Sequence, residues 1–472
     1  MTESIKNQVK VHSRLTVVSS TPTERVGHVC ALSPLDHIMS SHTVHIIYYY
    51  RTSPFSKQGR YAMDLDNVRV SLSELLSKYP RMTGRLVRDV HGQWEVKYND
   101  AGIRMLKADV GITVDQWLRF ADESDERNLT VWEDMPDGDP TSWSPFQIQV
   151  NEFVGGGLAI GISFPHLLAD PTSAILFYKS WTDSERGDIA GHHPPIVSLP
   201  QLDNHPPLLA TGNPPGTIKY LQKNSKLTPT PCPTKMATAS FKFSTTMIKQ
   251  GLLKISNKCP DATPFEYLTA LFWSQIIKHK TQMADSPMHS ISLCVDARKL
   301  VDVPIPMKFF GNLLHFSQLC LQNEVLTGDN GIAEAVKCLH GHLIGIKKDD
   351  IFSMVDLLKS SREEPDGVYP NPVQMYGPEL TCVNLDHLMS SKDELESLVY
   401  EAKFRNNEKP VHMSCHVGKA DGAGLIIVAS SPEGGLARTV TVTLPVVEVE
   451  KLCEDPVIMG MAPTMIVSGR RN

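Results

Sequence analysis

The sequence predicts an α/β protein of mixed β-sheet, built as two domains with helices flanking the sheets. Three observations predict it. Strand and helix patterns follow one another without the strict βαβ alternation of a doubly wound sheet. Neighbouring strands are joined by turns too short for a parallel crossover, at His91-Gly92 and at Gly155-Gly156-Gly157, so those pairs must run antiparallel. Finally, 472 residues exceed one ordinary core. Prolines crowd between residues 187 and 236; they cannot donate to a ladder and they restrict the residue before them. That stretch reads as a linker or surface crossover, which divides the chain into an N-terminal domain 1–186, the crossover 187–236 and a C-terminal domain 237–472.

Each element has its own signal. Residues 9–18 alternate and open the chain as a strand. Leu32-Ser33-Pro34-Leu35-Asp36 is a capped helix start, with Ser33 as N-cap and Pro34 at the first helical position. Val44 to Tyr50 is rich in β-branched and aromatic residues and reads as a strand, with Tyr48-Tyr49-Tyr50 as sheet packing. Leu65 to Tyr79 places Leu65, Val68, Leu72, Leu75 and Leu76 on one helical face. Gly84 to Val87 and Trp94 to Tyr98 form a hairpin, and Val114 to Phe120 a short helix. Phe146 to Phe153 alternates, turns at the glycines, and returns as Leu158 to Phe164. That return strand is nearly all apolar, so both its faces are buried. Ser173 to Trp181 has helical spacing.

In the second half, Thr238 to Phe243 is a strand and Ser244 to Ile255 a helix. Pro264 to Ile277 is an apolar helix that Thr263 can cap. Ser290 to Val295 is a buried strand ending in Asp296-Ala297-Arg298, and Phe309 to Asn312 is a turn. Gly331 to Lys347 is a helix, Leu380 to Leu385 a strand, Leu425 to Ala429 and Thr439 to Leu444 a closing pair, and Val446 to Leu452 opens a final helix.

Composition narrows the function classes. Apolar residues make up 41% and charged residues 21%, the balance of a globular chain rather than a disordered or fibrous one. A formal charge of −6 with no basic stripe argues against a nucleic-acid partner. The nine cysteines are scattered, odd in number and free of C-x-x-C pairs, which suits free thiols in a reducing compartment. The N-terminus shows no apolar signal segment, and the sequon Asn128-Leu129-Thr130 then reads as a chance match.

The candidate chemistry lies at Pro165-His166-Leu167-Leu168-Ala169-Asp170. A buried strand ending in Pro-His carries the imidazole to the rim of a sheet. Imidazole titrates near neutrality, so a rigid His there is a general-base candidate; a core His bonded to a backbone carbonyl is the plainer alternative. Other constellations are weaker. His340-Gly341-His342, and His412 with His416, lack a third ligand at a metal-site spacing, so no metal is expected. Gly155-Gly156-Gly157 precedes a strand rather than a helix, which makes it a turn and not a phosphate cradle. Ser163 has no nucleophile-elbow context.

Seven separated blocks then agree in order. They are Leu32 to Asp36; Tyr79-Pro80 with Gly84-Arg85-Leu86; Asn99-Asp100-Ala101-Gly102-Ile103; His166 with Asp170; Phe265-Glu266 with Ala270 and Trp273; Asp296-Ala297-Arg298; and Phe310-Gly311-Asn312. That series resembles the plant BAHD acyltransferases from about residue 10 to 455. The resemblance implies two similar chloramphenicol-acetyltransferase-like domains with a channel between them, and a cytosolic, monomeric enzyme. Acyl-CoA enters the channel from one face and an alcohol or amine acceptor from the other. His166 is then the general base, and Asp170 a structural anion paired with Arg298. No covalent enzyme intermediate, resident cofactor or metal is implied.

One block departs. Where the family has Tyr-Glu-Ala-Asp-Phe-Gly-Trp-Gly-Lys-Pro, this chain has Tyr400-Glu401-Ala402-Lys403-Phe404-Arg405-Asn406-Asn407-Glu408-Lys409-Pro410. Lys403 replaces the acid, which reverses a charge, and Arg405, Asn406 and Asn407 replace the Gly-Trp-Gly. Tyr376 to Thr381, Val383 to Asp386 and Arg438 to Pro445 are similar to the eceriferum/glossy branch, associated with cuticular wax. That branch implies an accessory role in very-long-chain fatty acyl elongation, beside a condensing enzyme at the endoplasmic reticulum and without use of His166. Two expectations therefore stand: an acyl-CoA-dependent transferase, and an elongation accessory protein.

Overall fold

A computed structural model of the chain describes residues 8–24, 26–55, 65–136, 138–188, 195–198, 235–280, 287–300, 309–360, 374–388 and 397–469. Most of the proline-rich crossover lies outside the described residues.

The strands in chain order are β1 (Val9–Val17), β2 (Val29–Ala31), β3 (Thr43–Tyr50), β4 (Arg85–Arg88), β5 (Trp94–Lys97), β6 (Ile103–Val110), β7 (Gln147–Phe153), β8 (Leu158–Pro165), β9 (Met236–Phe243), β10 (Met288–Asp296), β11 (Leu314–Gln322), β12 (Thr381–Leu385), β13 (His412–Val417), β14 (Leu425–Ser430), β15 (Arg438–Pro445) and β16 (Thr464–Ile466). They build a six-stranded sheet in the order β1-β6-β7-β8-β3-β13, a seven-stranded sheet β11-β10-β12-β14-β15-β9-β16 and a small sheet β2-β5-β4. Both large sheets are mixed: β6/β7, β10/β12 and β12/β14 are parallel and the other pairs antiparallel.

Strands before residue 187 build the first and small sheets, and strands after 235 the second, with one exchange. β13 leaves the C-terminal half and pairs with β3 at the edge of the first sheet, Val417 opposite Val44. The C-terminal end also reaches back, where Val467 N–H donates to the Leu118 carbonyl. The exchanged strand is polar yet buried, and it is held by one carboxylate. Glu126 accepts from the Tyr49 hydroxyl, from Ser414 Oγ and, at 2.9 Å, from His416 Nε2. Burial pushes the Glu126 carboxyl up, but the His416 charge and the three bonds outweigh it and leave the group below its usual range.

Helices cover the sheets. Pro264–His279 begins in a complete capping box, Thr263 on the Glu266 N–H and the Glu266 carboxylate on the Thr263 N–H. It is buried from Pro264 to Ile277, as its all-round apolar sequence requires. Ser33 caps Pro34–His37 in the same way with Asp36. The helix expected over Gly331 to Lys347 ends at Ile344, with Gly345 as its cap, and a separate helix runs over Lys348–Ser360. The helix expected to be final, Val446–Leu452, is followed by Pro456–Met459 and β16.

Candidate active site

β8 is buried along its whole length and lies between β7 and β3. A Cβ at Gly161 would meet the Leu129 carbonyl at 2.3 Å, so the close approach on that face requires glycine. The ladder with β3 ends at Pro165 opposite Thr43, and the next residue is His166. Its N–H donates to the His42 carbonyl at 2.9 Å, one further rung of the sheet. On the other side of β3 the ladder with β13 also ends here, with Gly418 N–H on the Thr43 carbonyl.

His42 fills the junction. Its Nε2 accepts from the Met375 N–H at 3.0 Å and its Nδ1 lies 3.0 Å from the Gly418 carbonyl, so Nδ1 carries the proton. Burial pushes this imidazole down to about 3, and it stays neutral.

The second sheet contributes from the end of the β10/β11 pair, where Asp296 stands opposite Leu314. Arg298 follows β10, and Gly311-Asn312 precede β11. Asp170 is the N-cap of the helix Pro171–Glu185, with Oδ1 accepting the Ser173 N–H at 2.8 Å. The same carboxylate takes a bidentate bond from Arg298, Nη1 to Oδ2 at 2.9 Å and Nη2 to Oδ1 at 3.0 Å, and Leu313 N–H adds a fourth bond at 3.0 Å. Three of these four bonds come from residues beside the second sheet and one from its own helix, and none from the imidazole. Asp296 also binds Arg298, and the two carboxylates hold the guanidinium pKa above its ordinary value despite burial. Asn312 closes the frame, donating from Nδ2 to the His166 carbonyl at 2.7 Å and to Asp36 at 2.8 Å. Asp36 in turn is paired with buried Arg81 at 2.8 Å.

His166 is thus fixed through its N–H, its carbonyl and the helix that follows. It is fully buried. Burial holds its imidazole below the ordinary range, partly opposed by its own carbonyl, Asp170, Asn312 and Asp36. Such a group is neutral at pH 7 and can accept a proton from a nucleophile brought to it. Its Nε2 lies 3.0 Å from the hydroxyl of Tyr376.

The structure brings His166, Asp170 and Arg298 into one site. The rebuilt stretch 403–407 lies elsewhere, against β3 and the end of the helix Pro171–Glu185. Phe404 is fully buried against the rings of Tyr50, Phe55, Tyr178 and Trp181. Lys403 pairs with Glu401 at 3.2 Å and Arg405 with Glu185 at 3.1 Å. The reversed charge at Lys403 therefore meets an anion, which is the compensation that the substitution demands. Asn406 Nδ2 donates to the Thr52 carbonyl, and Asn407 takes a positive φ of 57°. Asp36 and Tyr376 stood in the sequence only as parts of resemblance blocks, and they, with His42 and Arg81, are residues of the site to which the sequence reading gave no role there. Tyr376 is 210 positions from its partner, and no local spacing reports such a contact.

The four histidines weighed for a metal divide between sheet and helix. His412 and His416 are buried on β13, and His340 and His342 lie on Gly331–Ile344, bonded to Glu266 and Ser317. Among the described residues no group of three or more His, Cys, Asp and Glu is placed to hold a metal ion. No helix among them is long and apolar enough to cross a membrane.

Two mixed sheets with an exchanged strand, joined over a His-x-x-x-Asp turn, define the two-lobed CoA-acyltransferase class of fold. The model of the Transferase family matches residues 7–459, and the chain belongs to that family, the BAHD acyltransferase superfamily. Protein ECERIFERUM 26-like of Arabidopsis thaliana is 26% identical over 443 residues, 93% of this chain and 93% of that one. Among solved structures, vinorine synthase superposes with a TM-score of 0.71 at 16% identity, over 98% of this chain and 100% of that chain. TRI101 of F. graminearum, complexed with coenzyme A and deoxynivalenol, does so with a TM-score of 0.65 at 12% identity, over 92% of this chain and 98% of that chain.

Proposed function

We propose that this protein transfers an acyl group from a CoA thioester to an alcohol or amine, with His166 as the general base. The observation that carries the reading is the rigid, neutral imidazole of His166 beside an Asp170 fully engaged by Arg298. The acceptor's oxygen or nitrogen attacks the thioester carbonyl while His166 takes its proton. The new C–O or C–N bond forms, the C–S bond breaks as the tetrahedral intermediate collapses, and the imidazolium returns the proton to the CoA thiolate. Holding both substrates in one passage supplies on the order of 7–11 kcal/mol, and the base about 10²–10⁴-fold. The donor class is supported by the coenzyme A complex of a protein with the same fold. In this reading domains 1–186 and 237–472 flank a channel joined by the 187–236 crossover, and the protein is a cytoplasmic monomer.

A panel of acyl-CoA donors against alcohols and amines tests it. The expected result is turnover by the wild type and a loss of about 10²–10⁴-fold in His166→Ala. Absence of turnover with every donor sinks the transferase reading.

A second reading rests on the near full-length likeness to Protein ECERIFERUM 26-like and on the rebuilt 403–407 stretch. Here the protein is an accessory to very-long-chain fatty acyl elongation, working at the endoplasmic reticulum beside a condensing enzyme. Co-expression with such an enzyme then lengthens the acyl products, and His166→Ala leaves the lengthening intact.

A further inference from the structure

The imidazole read above as the base already holds a hydroxyl at the nitrogen that would do the work. Tyr376 Oη is 3.0 Å from His166 Nε2, while Nδ1 is buried and the polar groups beside the ring are the residue's own carbonyl and Asn312. Burial pushes the Tyr376 phenol far above its ordinary range, so it keeps its proton. With His166 neutral and its N–H on Nδ1, Tyr376 is the donor and Nε2 the acceptor. The buried Cys294 thiol lies against the same phenol oxygen. The groups facing this pair are His42, Asp36, Asp170, Asn312, Cys294 and Cys415, and all are buried.

Tyr376 is held in place from several sides. Its ring packs edge-on against His42 at 5.0 Å and Phe316 at 5.5 Å, and lies nearly parallel to His166 at 5.7 Å. The backbone before it is tied to His42 through the Met375 N–H. Gly377 after it takes a φ of +100°, and a Cβ there would meet the Asp421 carbonyl at 1.9 Å, so that position accepts only glycine.

We propose that Tyr376 is a positioning residue that caps the base: its hydroxyl stands where an acceptor O–H or N–H must stand to give its proton to Nε2, and it denies that place to water until an acceptor displaces it. The proposal rests on His166 being the base. Without the cap, water at Nε2 is activated against the thioester. The water oxygen bonds to the carbonyl carbon, the C–S bond breaks, and the proton taken by Nε2 passes to the thiolate, leaving a free acid and CoA.

The test compares wild type, Tyr376→Phe and Tyr376→Phe/His166→Ala. Phenylalanine keeps the ring and its packing. Histidine-labelled NMR follows the His166 resonances, identified by their loss in the double variant. In the wild type the nitrogen shifts report Nδ1–H with Nε2 accepting a bond, a reading that needs no variant. In Tyr376→Phe the neutral imidazole loses its donor, and the His166 titration midpoint rises by about one unit, a tenfold gain in proton affinity. Hydrolysis of a long-chain acyl-CoA without acceptor rises about tenfold and is abolished in the double variant. An Nε2–H tautomer in the wild type, or an unchanged titration in Tyr376→Phe, overturns the cap. A shifted titration without hydrolysis or transfer in either active-site background retains the contact and removes the acyl-transfer reading of His166.

Discussion

Asp170 and Arg298 illustrate how a residue's role is decided by its partners. A carboxylate four positions after a candidate base invites a catalytic assignment. Here Asp170 takes two bonds from Arg298, one from Leu313 and one from Ser173 within its own helix, and nothing of it reaches the imidazole ring. The sequence resemblance already paired Asp170 with Arg298, but Asp296 as second anion and Asn312 as the bond to the His166 carbonyl came only with the fold. They lie more than a hundred residues from the motif, and no periodicity reports such pairing. Replacing Arg298 by Met leaves two carboxylates buried beside each other without their cation. Breaking a buried pair in this way costs about 3–5 kcal/mol. Urea unfolding at pH 7 is expected to show that loss, and a smaller one at pH 5. The stranded carboxyls titrate above their unfolded values, so their penalty grows as pH rises. An equal loss at both values would contradict the account.

At the scale of elements, the strands that were legible were those with one clean signal. β3 and β8 are continuous β-branched and apolar runs, and the capped helices carried Ser33 and Thr263 at their starts. β6 was not legible as a strand and β13 was given no bounds beyond a surface or strand location for His412 and His416, because buried positions on both carry charged or polar groups satisfied far away in sequence. Lys107 on β6 pairs with Glu152 on β7 at 3.4 Å, and His416 on β13 with Glu126. Such a strand looks like a loop until its partner is known. The 400–410 stretch follows the opposite logic. Its charges are the conspicuous change, yet within 403–407 Phe404 is the buried residue. Phe404→Ala removes a ring from a box of four aromatics and is expected to cost about 3–5 kcal/mol. Lys403→Ala loses only a partly exposed ion pair, worth about 0–1 kcal/mol. Thermal and urea unfolding of both variants checks the contrast. If Lys403→Ala proves the more damaging, the stretch is held by its charges and not by its core.

Across the whole molecule, the buried histidines set how stability responds to acid. Six described histidines, His42, His45, His166, His315, His342 and His412, are held below their ordinary value by burial first of all. His42 is pushed to about 3 and His412 to about 4. Between those values and the unfolded value near 6.5 the unfolded chain binds protons that the folded chain refuses. Stability from these groups is therefore complete above about pH 6.5 and is lost as pH falls toward 4, each group shifting the folding equilibrium about tenfold per unit. His416 works in the other direction, since Glu126 holds it above its ordinary value and its contribution fades as pH rises through the folded value. Glu126, held low, loses its contribution only as pH falls through its own depressed value. Six against one, the histidines are expected to make the protein acid-labile before the depressed carboxylates of Asp36, Glu126 and Asp296 protonate. His42→Asn isolates one share, because the amide can still donate to the Gly418 carbonyl while carrying no titrating group. Urea midpoints from pH 7.5 to 4.5 should fall for both proteins, less steeply for the variant by one group's worth. Parallel profiles would mean that His42 gains its proton without penalty, and that the junction between β3, β8 and β13 is wetter than its packing implies.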